Sequence, residues 1–320
     1  MDRGRGGDQG GLATGSNPNE VVAEPQQPPR GEPGRSGRWL QRVLFLGPGL
    51  TYWAVLFVFP AGLVLAYSFF RRSATGGIDY TFTFDNYARA VDPLFLDVLW
   101  FSLRTALLTT AIALLLGYTV AYFIATRPER WRLPLLVMVV LPFWTNLLIR
   151  TYAWIVLLGN EGLINRTLRG IGVIDTSLPL LNNEFAIVVG LLYAYLPLMI
   201  LPLYASIERL GTPPREAAAD LGAGPIAGFF RVTFPLTLPG VMAGCIFVFV
   251  PSLGNFVVPD LLGGGKEIMV GNLIQSQFFQ ARDWPFGATL ALSVMLITLL
   301  LLLGQARILN REKRLAARAT

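Results

Sequence analysis

Six stretches of this 320-residue chain contain no Asp, Glu, Lys or Arg: 43–70, 105–126, 133–149, 185–207, 232–259 and 284–306. A helix rises about 1.5 Å per residue, so roughly 20 apolar residues cross a hydrocarbon layer about 30 Å thick. Five of the runs hold 22 to 28 residues and are long enough. The run 133–149 holds 17, and it reaches the length once Arg150 is included, because 151–158 continues apolar. Only helices and closed barrels satisfy their own backbone in lipid. The pattern therefore predicts an all-α integral membrane bundle of six transmembrane helices. Composition agrees, with 53% hydrophobic and 14% charged residues, against about 25% charged in soluble domains. Pro48, Pro60, Pro142, Pro197, Pro202 and Pro251 fall inside these runs. Each removes a donor and bends its helix, which a bundle tolerates by re-satisfying the freed carbonyls.

The same composition excludes chemistry. There is no histidine and a single cysteine, Cys245. His-based metal sites, Ser–His–Asp triads and disulfide frameworks are all removed, and no metal site is predicted. The first 37 residues are rich in Gly, Pro, Gln and Asn and have no apolar run. They predict a disordered tail (1–37) and not a cleaved leader. The membrane domain is expected over 38–310 and a basic tail over 311–320.

Basic residues set the orientation. With the N-terminus in the cytoplasm, the segments on that side hold 17 Lys and Arg, and the opposite loops hold 7. Both termini are predicted inside a bacterial inner membrane. Arg104 and Arg150 lie within spans. On straight helices both fall near the outer face, where their heads can snorkel to water. The net charge of +6 thus records a membrane orientation and points to the lipid bilayer, not to nucleic acid.

The loop 208–235, on the predicted inner side, carries the most information. Thr212 suits an N-cap and Pro213 the first helical position. Ala217, Ala218 and Ala219 favour helix, and Gly222 suits a left-handed stop. Pro225 can open a second short helix, which Pro235 is expected to end. Glu216 and Asp220 lie one turn apart beside a smooth alanine face.

This stretch resembles the EAA loop of binding-protein-dependent ABC importer permeases (type I). Glu216-Ala217-Ala218 is followed after three residues by Gly222, and after nine more by Val232-Thr233-Phe234-Pro235. Val and Phe replace the family's Ile and Leu. The resemblance implies a helix that couples to an ATP-hydrolysing subunit, with Glu216 as principal polar contact, Gly222 as tight turn, and Asp220, Leu221, Ala223 and Pro235 completing the segment. LPFWTNLLIRTY (141–152), LGAGPIAGFFRVTFPLTLPGVMAGC (221–245) and DLLGGGKEIMVGNLIQSQFFQARDWPFGA (260–288) are similar to the first permease subunit of spermidine/putrescine importers. The similarity runs from about residue 40 to the C-terminus. It implies a second permease subunit, two ATPase subunits and a periplasmic binding protein as partners. No cofactor is expected on this chain, with ATP and Mg held by the ATPases.

The chain has no P-loop of its own. Gly263-Gly264-Gly265-Lys266 comes nearest, but Asp260 and Glu267 occupy required positions. It reads as a turn, and the chain is not expected to be an enzyme. Polyamines are polycations, yet no span carries an acid. A weak path could use aromatic faces and neutral acceptors. The candidates are Trp144, Asn146, Tyr152, Trp154, Tyr193, Tyr195, Asn255 and Phe256, with Asp260 as an outer carboxylate. Other solutes for the same role, such as another amino compound, an opine or an anion, remain open at this point. So does an ion-coupled secondary transporter, which the acid-free spans disfavour.

Overall fold

The computed structural model describes residues 47–73 and 77–319, with backbone alone for 308–319. The predicted 1–37 tail lies outside the described residues. By internal contacts the chain forms two units, Met1–Leu56 and Phe57–Thr320. The described part of the first is the opening of helix α1, Gly47–Ser68. The second holds every other element.

After α1 comes a small antiparallel hairpin of β1 (Arg71–Arg72) and β2 (Ile78–Asp79), in which Arg71 pairs with Asp79. The short helix α2 (Asp85–Ala90) follows. Asn86 folds it back by donating to the Ser68 and Phe70 carbonyls at 3.0 and 2.8 Å. Thr83 and the Arg71 guanidinium hydrogen-bond the Asp85 carboxyl and lower its pKa.

The long helices start where their sequences supply caps. Helix α3 spans Pro93–Ala125, with Asp92 accepting from the Leu94 amide and proline at the first position. Helix α7 spans Glu184–Leu210, with Asn183 accepting from the Ala186 amide. Helix α13 runs Trp284–Ala319. The buried Asp283 accepts from the Phe286 amide and pairs with Arg89 at 3.0 Å. Residues 311–319, expected as a separate tail, continue this helix, as their Ala, Lys, Arg and Glu content favours.

The third span departs from expectation. It is not one helix across 133–158. Helix α4 (Glu129–Val140) gives way to a 3-10 turn at Leu141–Trp144, and α5 restarts at Leu147–Leu158. Pro142 supplies no donor, and Asn146 re-initiates the helix by accepting from the Leu148 amide at 2.8 Å. After a turn, α6 covers Leu163–Gly170.

Helix α8 spans Pro213–Asp220. The helical run α9, Pro225–Leu236, is bent by 68° against α10, Leu238–Gly254. The run passes through a π turn at Phe229–Thr233 and ends at Leu236, one residue past Pro235, with the bend at Thr237. Helices α11 (Val257–Leu262) and α12 (Val270–Phe279) complete the chain. Among the described residues, five helical stretches are long and apolar enough to span a membrane, with α5 and α6 counted together as Leu147–Gly170, or six if the bent pair counts as one.

The core joins α3, α7 and α10. Lipid tails are as apolar as leucine, so burying hydrocarbon does not drive such helices together; close packing does. Met199 of α7 shows how. A Cβ on Gly117 of α3 would meet its Cγ at 2.7 Å, and one on Gly244 of α10 its Sδ at 2.6 Å. The two glycines admit one fully buried methionine between three backbones. A second cluster joins α5, α7 and α11 around Leu158, Ile187, Leu191, Val258 and Leu262.

Candidate functional site

Two places in this bundle concentrate polar chemistry. The first is the segment between α7 and α10. Gly211 reverses the chain after α7 with φ +67°. Thr212 occupies the cap position of α8, but its hydroxyl makes no cap bond. The cause is local. Pro213 and Pro214 have no N–H to receive, and the first free amides, Arg215 and Glu216, bond the Thr212 carbonyl at 2.9 and 3.0 Å.

The far end of α8 closes tightly. Gly222 takes φ +79°, its amide donates to the Ala219 carbonyl, and the Ala223 amide donates to the Ala218 carbonyl, both at 2.9 Å. This is the 6→1 and 5→2 pair of a Schellman stop, which needs a left-handed residue at Gly222. Nothing lies within 4 Å of a Cβ built there. The requirement is conformational, not steric.

Ala218 faces inward, while Glu216, Ala217 and Asp220 are exposed. Leu221, Ile226 and Phe230 are 89%, 77% and 64% exposed. Three large apolar side chains beside two carboxylates make a surface of mixed character, suited to a protein partner. Behind it lies a polar crevice lined by Thr126, Arg132, Glu208, Arg215 and Glu216. Arg132 and the Tyr204 hydroxyl both donate to Glu208, at 3.2 and 2.5 Å, tying the start of α4 to the end of α7.

The second place is beside the α4–α5 break. Arg150 sits one turn into α5, with its guanidinium 5.7 Å from the Phe143 ring centre and 5.9 Å from that of Tyr193. Its Nε and Nη1 are buried and have no acceptor among the described residues. The helix is broken just before Arg150, at Leu141–Trp144, and two of the guanidinium nitrogens are enclosed by protein. Trp154 meets Tyr193 edge-on at 5.7 Å. Arg104, the other arginine within a span, pairs with Glu184 at the first turn of α7, and Thr105 donates to the same carboxylate at 3.1 Å.

Residues 115–314, more than half of the chain, match the family described as binding-protein-dependent transport system inner membrane component. This chain belongs to that family. The permease is 44% identical to the spermidine/putrescine transport system permease protein PotB of Salmonella typhimurium (strain SL1344) over 264 residues, 81% of this chain and 92% of that protein. It is 43% identical to PotB of Escherichia coli (strain K12), over 82% of this chain and 97% of that protein. Its fold matches a chain of a bacterial alginate ABC transporter, solved with an alginate pentasaccharide-bound periplasmic protein, at TM-score 0.68 and 16% identity, covering 86% of this chain and 96% of that one.

The structure sorts the permease's candidate path residues into groups. Trp154 and Tyr193 gather beside Arg150. Tyr195 and Asn255 form a second pair, the Asn255 amide donating to the Tyr195 hydroxyl at 2.7 Å. Asn255 is buried, and its Oδ1 accepts from the Val258 amide at 2.9 Å, so it restarts the chain at α11 as Asn146 does at α5. Trp144, at 82% exposed, and Tyr152 stand on the surface of the α4–α5 side. Phe256 and Asp260 stand exposed at α11. Gly263-Gly264-Gly265 is a turn, with φ +63° and +72° at the last two and Gly264 against Asn182.

The sequence reading did not single out two contacts of α3, that of Arg215 Nη1 with the Tyr122 hydroxyl at 3.2 Å and that of the Tyr118 hydroxyl with Thr237 Oγ1 at 2.8 Å. Arg215 adjoins the EAA residues, but its partner is 93 positions away. The one local signal was the i, i+4 pair of tyrosines, which share a face of α3.

Proposed function

We propose that this permease is one of two membrane subunits of an ATP-driven importer of spermidine- and putrescine-like polyamines. The observation that supports it most is the 43–44% identity over more than nine-tenths of the PotB proteins. In this reading a periplasmic binding protein delivers the solute and supplies the affinity. A second permease completes the path, and two ATPase subunits hydrolyse ATP. Hydrolysis belongs to those chains. The 17-to-7 basic bias favours a cytoplasmic α8, where an ATPase can reach it.

The mechanism follows from the parts. Glu216 and Asp220 offer charge, and Leu221, Ile226 and Phe230 offer apolar area, to a cleft on the ATPase. Closure of the ATPases moves α8, and the bundle opens or closes with it. Inside, the faces of Tyr193 and Trp154 attract an ammonium group, while the positive charge of Arg150 repels it. A path balanced in this way passes a polycation without holding it, as a permease must.

The test is uptake of labelled spermidine by proteoliposomes holding both permeases and both ATPases, with loaded binding protein outside. ATP-dependent uptake is expected. Uptake driven by an ion gradient with no ATPase present would overturn the reading. Failure of the purified binding protein to bind any polyamine would overturn the solute.

A further inference from the structure

We propose that Tyr118 and Tyr122, one turn apart on α3, form a two-point clamp that holds both α8 and the α9–α10 bend. Through Arg215, the clamp makes movement of α8 felt by the membrane bundle. The inference rests on the reading of α8 as the ATPase-facing helix and adds to it the residues that pass the motion on.

Helix α8 packs on the π turn Phe229–Thr233 and the start of α9. Its polar tie to a spanning helix is Arg215. There Nη1 donates to the Tyr122 hydroxyl at 3.2 Å, the guanidinium lies 5.5 Å from the Tyr122 ring centre, and Nη2 reaches the Gly211 carbonyl at 3.4 Å. One turn along α3, the Tyr118 hydroxyl bonds Thr237 Oγ1 at 2.8 Å in a buried site. Thr237 is fully buried at the 68° bend, and its hydroxyl also reaches the Thr233 and Phe234 carbonyls. Phe229 fills the space between the two points, edge-on to Tyr118 at 5.3 Å and to Tyr122 at 6.1 Å.

Both ends of the segment are therefore fixed to one face of one helix. If α8 moves relative to the bend, either α3 must turn or the Arg215–Tyr122 contact must break. A hydrogen bond whose donor also lies within cation–π range of its acceptor's ring resists breaking more than a lone bond does. Aromatic packing at Phe229 removes the slack.

The experiment uses the full importer in proteoliposomes and reads spermidine imported per ATP hydrolysed. Arg215→Gln should lower that ratio about fivefold or more, the size of an ordinary coupling between sites, while the ATPases still copurify. Tyr122→Phe keeps the ring and loses the hydroxyl, and should lower it about twofold. Arg215→Lys should fall between wild type and Arg215→Gln. An unchanged ratio in Arg215→Gln overturns the clamp. So does loss of the ATPases on purification, which would make Arg215 a docking contact. If the wild-type complex imports no spermidine, the solute assignment fails separately. The clamp is then read from the stimulation of ATP hydrolysis by loaded binding protein, which Arg215→Gln should reduce. Equal stimulation in variant and wild type overturns it.

Discussion

The α7–α10 segment and the α4–α5 break both interrupt the bundle with short helical pieces, and their polar groups are treated in opposite ways. In the first, Arg215 has Tyr122 and Gly211 as acceptors, Glu208 has two donors, and the stop at Gly222 satisfies two carbonyls of α8. In the second, Arg150 lies between two rings with two buried nitrogens and no acceptor among the described residues. One arginine is a finished contact within the chain. The other is costly to leave as it is, because a buried donor without a partner forfeits about 1–3 kcal/mol. The α7–α10 segment satisfies these polar groups within this chain, whereas the break leaves Arg150 short of acceptors among the described residues.

Substitutions in the two regions should differ in what they impair. The largest effect is expected from Glu216→Lys, which reverses charge on the exposed face of α8. Uptake should fall on the order of tenfold or more, with insertion and pairing of the permeases intact. Normal uptake would remove Glu216 from coupling. Gly222→Val comes next. A left-handed backbone costs an L-residue about 1–2 kcal/mol, so uptake should drop severalfold, and Gly222→Asn should recover much of it. Equal activity for Val and Gly would show that the stop is dispensable.

The two breaks that asparagines restart should respond in stability instead. Asn255→Ala removes a buried cap and the bond to Tyr195. Its thermal midpoint in detergent should fall further than that of Asn146→Ala, which loses a cap worth about 1 kcal/mol. Equal midpoints would mean that the two restarts are held alike. The smallest effect is expected from Asp260→Asn, where losing one exposed carboxylate should slow uptake about twofold through weaker attraction of a cation. An unaltered rate, with assembly unaltered too, takes Asp260 out of the entry.

Legibility followed chain distance. The spacing from Glu216 to Gly222 to Pro235 is contiguous, and a backbone stop such as Gly222 is written in a handful of residues. Long apolar runs likewise announced α1, α3, α7 and α13. What the sequence hid was the meaning of polar residues within those runs. Asn146 and Asn255 read as lining for a cation path, yet both accept from a backbone amide two or three residues on. Cap chemistry and path chemistry use the same side chain. The Arg215–Tyr122 contact joins positions far apart in the chain, so no periodicity could show it.

The methionine held between Gly117 and Gly244 has a mechanical consequence. Packed interiors transmit strain with little give, so a tilt of α7 about that wedge would carry α3 and α10 with it. Met199 lies 15 residues from the Glu184 end of α7, about 22 Å, so a tilt of about 5° would displace that end by about 2 Å. A small rotation at the end bearing α8 would then be felt at the far end of the helix.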